Sequence, residues 1–334
     1  INLFLDLFFM ELVRVSRDSG IPLIGCIAFG IIDRGTNLIQ VRPTSVCNMK
    51  CPFCSTNAND ASVHPTNYEV ELSYLVDWVK EVVKFKGSGV EINFDSVGEV
   101  LNYKDFVKLV SECSKINGVS LMSMQTNGVL LTEKMVDALE KTGINRINLS
   151  MNTLDVKKAK LLCGVKAYDI KKIVKIAEYI SISKIELLIA PVWMPNVNDS
   201  DIEDLIKFAK SIGVKLGIQK YEIYKYGRKF KSAKHVNWWK FYRQLDSLEK
   251  KYGFKLKLTR NDFRIVRMER IPQVFTKGDK VNVVVKSTGW IKGQMIGVAN
   301  NRCININNCL AKVNDKIRVR IVEDKNELYV AEVL

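Results

Sequence analysis

At 334 residues and 47% apolar, the chain can bury one core domain of about 200–250 residues and a small second one. The net charge of +15, from 51 basic and 36 acidic side chains, favours a polyanionic partner such as RNA, DNA or an anionic surface over a merely Lys-rich, thermophile-type exterior. Eight cysteines with no secretory signal exclude a disulfide framework and suit a reducing cytoplasm. The opening stretch Ile1–Phe9 is apolar but interrupted by Asp6, and it falls short of the ~20 residues of a membrane span. Leu5, Phe8, Phe9 and Leu12 share one face, which predicts a packed amphipathic helix. Leu23–Phe29 and Leu38–Val41 read as strands joined through Asp33-Arg34-Gly35, with Pro22 just before the first. Cys26 lies in that apolar run and reads as a small buried hydrophobe.

Next comes Cys47-Asn48-Met49-Lys50-Cys51-Pro52-Phe53-Cys54, three thiols spaced C-x3-C-x2-C. One loop of this length can wrap its thiols around a single centre, and thiolate is the usual protein ligand of iron–sulfur clusters. Three ligands leave one iron of a four-iron cubane open, the condition that separates catalytic from closed structural sites. A structural zinc site would need a fourth ligand, and the chain has only His64 and His235 to offer besides its other cysteines.

Leu72, Leu75, Val76, Val79, Val82 and Val83 mark a helix face that ends at Gly87, and Val90–Phe94 reads as a strand. Phe106, Leu109, Val110 and Cys113 mark the next helix, which makes Cys113 a core residue. Strands at Val119–Gln125, Arg146–Met151, Ile185–Val192 and Lys215–Tyr221 alternate with helices at Thr132–Lys141 and Ile170–Ile180. A further helix opens on Ser200-Asp201-Ile202-Glu203, a capping-box pattern, and Cys163 ends a helical run. Apolar strands alternating with helices predict an α/β fold, a parallel sheet covered by helices. In such folds ligands gather at the carboxyl ends of strands. There stand Asp95 to Glu99, Gln125 to Asn127, Ser150 to Asn152, Val192 to Met194, and Gln219.

From Tyr221 to Arg243 cations and aromatics interleave. Lys220, Lys225, Arg228 and Lys229 suit phosphate contacts, and Tyr224, Tyr226, Trp238, Trp239 and Tyr242 suit base stacking. The competing reading is a helix from Val236 to Lys251 that buries its aromatics and snorkels its lysines. A positive run continues through Arg270 into a linker that ends at Pro272. From Thr276 the period changes to two, and five short strands in about sixty residues predict a small β-barrel. In Lys316-Ile317-Arg318-Val319-Arg320-Ile321 one face is all basic and the other all aliphatic. Cys303 and Cys309 read as packing residues rather than as ligands of a second cluster.

The cysteine motif, followed in order by Gly98-Glu99, Gln125-Thr126-Asn127-Gly128 and Ser150-Met151-Asn152, resembles the radical S-adenosylmethionine (SAM) superfamily. The whole chain from about residue 20 resembles an uncharacterised archaeal group of these proteins with a C-terminal TRAM domain. The resemblance implies a partial (β/α)6 barrel at 41–221, after an N-terminal helix and β-hairpin extension at 1–40. A basic and aromatic segment at 222–275 and a TRAM-like, OB-like barrel at 276–334 would follow. It implies a [4Fe–4S] cluster on Cys47, Cys51 and Cys54, with SAM chelating the fourth iron and cleaved reductively to a 5′-deoxyadenosyl radical that abstracts a substrate hydrogen. Gly98 and Glu99 would meet the methionine amino group, Ser150 and Asn152 the ribose, and Phe53 would lie near the adenine. Thr126, Asn127 and Gln219 would add contacts; Val100 departs from the usual Gly-Glu-Pro. TRAM domains bind RNA on tRNA-modifying enzymes, so a tRNA nucleoside is the expected substrate, held by the basic segment and by Lys316, Arg318 and Arg320. The alternatives are maturation of a small-molecule cofactor or peptide, or RNA binding by an iron–sulfur protein without catalysis. A low-potential donor such as ferredoxin or flavodoxin is implied, with no membrane partner. Residues 1–46 hold only Cys26, which is an expectation against methylthiolation; nor is there a cysteine-rich C-terminal module.

Overall fold

The computed structural model describes residues 10–334. The chain forms two compact units. The first comprises the described residues up to Cys47 with Ala58–Ser120 and Arg267–Leu334; the second comprises Asn48–Asn57 and Leu121–Val266. The expected N-terminal helix face of Leu5, Phe8 and Phe9 lies outside the described residues. Leu12, its fourth member, sits on a strand.

In the first unit, β1 (Glu11–Val15) pairs in parallel with β4 (Thr66–Val70), a strand that the periodicity did not reveal. β2 (Gly30–Asp33) and β3 (Leu38–Arg42) form an antiparallel hairpin, and β3 runs parallel to β5 (Val90–Phe94). Alternate residues of these strands, among them Ile39, Val41, Ile92 and Phe94, are fully buried. Helix α1 (Leu72–Lys86) buries Leu75, Val76, Val79, Val82 and Val83 at helical spacing and stops at Gly87, whose φ of +84° and ψ of −142° lie in a region open essentially to glycine alone. Helix α2 (Phe106–Ser114) buries Cys113 as expected.

The strand expected at Leu23–Phe29 is absent. That stretch is almost wholly buried but irregular, with a single bridge from Ile24 to Ile31. Gly25 sits at φ +114°, and a Cβ there would stand 2.1 Å from the Cys303 carbonyl oxygen. The apolar run therefore marks burial beneath another backbone rather than a place in a sheet.

In the second unit, β6 (Val119–Thr126, inside the unit from Leu121) is followed by α3 (Glu133–Lys141), β7 (Arg146–Leu149), α4 (Val156–Cys163), α5 (Ile170–Ser181) and β8 (Glu186–Ile189). Then come β9 (Val192–Trp193), α6 (Asp199–Ser211), β10 (Lys215–Leu216), β11 (Gln219–Lys220) and α7 (Trp238–Tyr252). Strands β6, β7, β8 and β10 lie side by side in that order, all parallel, while β9 and β11 form a separate parallel pair. The expected strand over Lys215–Tyr221 is thus split at Gly217. The expected capping box also fails, because α6 starts at Asp199 and its N-cap is Asn198, two positions before Ser200. Asn198 instead spends its side chain on the preceding loop: it donates to the carbonyls of Asn152 and Val192, and accepts from the Met194 N–H at 2.7 Å.

The C-terminal strands β12 (Lys280–Thr288), β13 (Met295–Ala299), β14 (Arg302–Asn307), β15 (Lys316–Glu323) and β16 (Val330–Val333) close into a barrel in the order β12-β13-β14-β16-β15. Val283, Val285, Ile304, Ile306, Val319, Ile321 and Tyr329 fill its core together with Cys309. This barrel is bound into the first unit. The His64 ring stacks on Trp290 at 3.8 Å, the Tyr68 hydroxyl donates to the Thr288 carbonyl at 2.6 Å, and Cys303 is buried against Pro22. The stretch read as a linker is held too. Ile271 N–H donates to Asp33, and Lys86, buried in an ion pair with Asp33, donates to the Glu269 carbonyl.

Candidate active site

The eight thiols divide by exposure. Cys47, Cys51 and Cys54 are partly exposed, and Cys26, Cys113, Cys163, Cys303 and Cys309 are buried. Burial pushes the thiol of Cys26 up to about 11 and those of Cys113 and Cys163 up to about 12, and raises Cys303 well above the ordinary value. The thiols of Cys26, Cys113, Cys163 and Cys303 therefore stay protonated and inert at neutral pH. In the first unit, the chain entering Cys47 is pinned by the Val46 carbonyl, which accepts from the Glu99 N–H at 2.8 Å and from Asn102 at 3.2 Å; Asn59 donates to the Cys47 carbonyl. In the second unit, the loop is clamped at two points. Lys50 N–H donates to the Cys163 carbonyl at the end of α4, where a Cβ on Gly164 would lie 2.1 Å from the Lys50 oxygen. Arg228 donates from its backbone to the Cys54 carbonyl at 2.8 Å and from Nη1 to the Cys51 carbonyl at 3.1 Å, and Gly227 passes close to Ser55. Asn127 donates to Asn48 Oδ1 at 2.7 Å. None of Gly164, Gly227 or the Arg228 clamp is visible in a local motif, since each acts on backbone carbonyls more than a hundred residues away in sequence.

The residues expected at strand ends are placed as follows. In the first unit, a Cβ on Gly98 would come 2.3 Å from the Val46 oxygen, so only glycine lets the two backbones meet. Glu99 is buried and its Oε1 accepts from the Leu101 N–H, capping the short turn Val100–Asn102. Asp95 is gripped by the Arg42 guanidinium at 2.7 and 3.1 Å and by Gln40 at 2.6 Å. In the second unit, Ser150 accepts from Gln125 Nε2 at 3.0 Å, and Asn152 Oδ1 accepts from the Val192 N–H at 2.8 Å. Thr126 is buried and accepts from Gly128 N–H. Phe53 packs with Leu162, Met194 and Tyr221, and Gln219 is exposed on β11.

The sequence profile of the Radical SAM superfamily matches residues 41–209, half of the chain. The chain belongs to the radical SAM superfamily. It is 41% identical to an uncharacterised protein of Methanocaldococcus jannaschii over 94% of its length and 79% of that protein's. It is 30% identical to GTP 3′,8-cyclase of Clostridium botulinum over 53% of its length, and spans about half the length of that relative (54%). Among solved structures it resembles SuiB of Streptococcus suis bound to S-adenosylmethionine, with a TM-score of 0.52, 20% identity, and coverage of 71% of this chain and 49% of that one. The cofactors of this radical SAM protein are those of its family, a [4Fe–4S] cluster and SAM. The residues present fit such a cluster: three part-exposed thiols lie on one pinned loop, and every other thiol is buried. Among the described residues no three His, Cys, Asp or Glu side chains converge tightly enough for a single ion. When bound, the cofactor pair supplies a carbon radical able to abstract hydrogen; the chain supplies orientation and shelter from water.

The second unit of this radical SAM protein also has a cavity of about 570 Å3, and of the cations predicted to meet phosphate there only Lys220 lines it. Lys225 and Lys229 are exposed. Lys220 and Arg228 are corrections. Lys220 is buried, ion-paired with Glu222 at 2.8 Å, 3.1 Å from His235 Nε2 and 5.1 Å from the Trp238 ring centre, so it offers no charge to a phosphate. Arg228 is committed to the cysteine loop. The competing reading of α7 also fails for most of its aromatics: Trp238, Trp239 and Tyr242 are 53%, 66% and 47% exposed, and only Phe241 and Leu245 are buried on that helix.

Proposed function

We propose that this radical SAM protein modifies a nucleoside of RNA, with tRNA as the substrate class and Cys47, Cys51 and Cys54 as the cluster ligands. The observation that carries this reading is the outer face of the C-terminal barrel, for which a TRAM-like role in RNA binding is part of the proposal. Lys316, Arg318 and Arg320 project from β15 into solvent, and Lys280 of β12 stands directly opposite Arg320. Glu332 of β16 stands opposite Arg320 on its other side, so four cations share this face with one cross-strand carboxylate, and like charges facing each other across a strand pair repel. A polyanionic backbone laid on this face would relieve the repulsion.

A small-molecule substrate is the second reading, supported by the likeness to GTP 3′,8-cyclase. The test is anaerobic SAM cleavage by reconstituted, dithionite-reduced protein with and without total tRNA, read as 5′-deoxyadenosine. Stimulation by tRNA is expected. Cleavage that is indifferent to tRNA would overturn the RNA reading and leave the small-molecule one.

A further inference from the structure

The RNA reading leaves open what enters the protein, and the cavity of the second unit bears on that. We propose that it is a pocket for a single uncharged, planar nucleobase, admitted from a polynucleotide whose phosphates stay outside. This deepens the RNA reading and rests on it. The volume of about 570 Å3 lies within the range of small-ligand sites.

Three features of the lining argue for a base. The first is carboxamide chemistry. Gln125, Asn148 and Gln219 line the cavity, and carboxamides match the paired donor and acceptor edges of bases. Gln125 is held in place through its Nε2 on Ser150. Asn148 Oδ1 is buried with no hydrogen-bond partner among the described residues. A buried acceptor left unmatched is costly, so its presence in a cavity wall calls for a donor from outside, such as an exocyclic amine or ring N–H.

The second feature is stacking surface. Trp238 and Tyr242 line the same cavity, stack on each other with ring centres 5.8 Å apart, and keep about half of their surfaces exposed. Aromatic faces of this kind take bases regardless of sequence.

The third feature is charge. The ionised groups in the lining are Lys220, Glu222 and Lys257. Lys220 is neutralised by Glu222, and Lys257 by Asp246 and, at 3.8 Å, by Glu249. Among the described residues no uncompensated cation remains in the lining to receive a triphosphate; Lys225, over the Tyr226 ring, and Lys229 stand nearby in sequence but outside the lining. The cavity therefore selects the heterocycle and excludes the charged end of a free nucleotide.

The test is binding to the full-length reconstituted protein, with S-adenosylhomocysteine at saturation, of adenosine, guanosine, cytidine, uridine and GTP, read by tryptophan fluorescence and equilibrium dialysis. At least one nucleoside is expected to bind with an affinity unchanged between low and high salt, and GTP no more tightly than guanosine. Trp238→Ala, at an exposed position, is expected to weaken that binding by roughly 5- to 100-fold, and Asn148→Ala by a similar factor with altered base preference. Tighter, salt-sensitive binding of GTP would overturn the proposal. So would failure of every nucleoside to bind, or binding seen only when S-adenosylhomocysteine is left out, which would return the cavity to the cofactor. The two readings fail separately. If tRNA stimulates SAM cleavage but Trp238→Ala changes neither nucleoside binding nor the KM for tRNA, the pocket is wrong and the RNA reading stands. If nucleosides bind as expected but tRNA has no effect, the pocket stands and the polynucleotide source is wrong.

Discussion

Strand β15 and the segment from Lys220 to Arg243 carry the same kind of sequence, cations mixed with hydrophobic residues, and deploy it in opposite ways. On β15 the period of two sends Lys316, Arg318 and Arg320 to solvent and Val319 and Ile321 to the barrel core. Between Lys220 and Arg243 most of the chain before α7 is loop, and no period sorts the side chains. There Lys220 is drawn inside beside Glu222 and His235, and Arg228 binds loop carbonyls, while Lys225 and Lys229 reach solvent. A count of positive charges treats these residues alike. Regular backbone geometry makes a charge's destination readable, and irregular backbone hides it.

The largest expected effect sharpens this contrast on its buried side. Lys220→Met keeps the length of the side chain and removes its charge, which leaves Glu222 beside His235 without its main partner. Breaking a buried pair by removing one member costs about 3–5 kcal/mol; because the Glu222 side chain is 27% exposed, about 2–3 kcal/mol is expected here, measured by urea unfolding under anaerobic conditions. A loss below 0.5 kcal/mol, on the order of a neutral surface change, would mean that Lys220 is as free as a surface lysine and would erase the distinction between the two regions.

The site was legible to the same degree as its backbone was regular. C-x3-C-x2-C is a local pattern and marked out the only three thiols among the described residues that are not buried. The alternation of strands and helices in the second unit was readable from period alone. The clamps on the cysteine loop were not, because Gly164 and Arg228 reach it through main-chain atoms brought together only by folding. Leu23–Phe29 misled for a related reason: an apolar run reports burial, and only Gly25, pressed against the Cys303 carbonyl, records that the covering surface is another backbone. Asn198 was masked by Ser200, whose capping-box pattern looked complete, although Asn198 ties the loops after β7 and β9 together through its side chain.

A smaller effect tests the exposed side. Each of Lys316→Ala, Arg318→Ala and Arg320→Ala is expected to lower the slope of log affinity for RNA against log salt by about one, with stability changed by less than about 0.5 kcal/mol. Arg228→Ala is expected to leave that slope alone and to lower iron content after reconstitution, since it loosens the carbonyls of Cys51 and Cys54. The opposite pattern, in which Arg228 carries the salt dependence and the β15 residues do not, would reverse the roles assigned to the two regions.

The smallest effect concerns acid. The Glu222 carboxyl is held below its ordinary value of 4.5, first by the hydrogen bond from Lys220 and then by that from His235, against a partial desolvation that acts the other way. A carboxylate whose folded pKa is depressed adds stability that is fully present above the unfolded value. That stability is lost as pH falls through the folded value. Wild type should therefore be more stable than Glu222→Gln at neutral pH, and the part of that margin that titrates, discounted for exposure, should be about 0.5–1 kcal/mol. The margin should shrink as pH drops below 4.5. Urea midpoints of the two proteins across that range measure it. A margin that stayed constant into acid would mean that Glu222 supports Lys220 through packing alone, and the interior half of the comparison would then rest on shape rather than on charge.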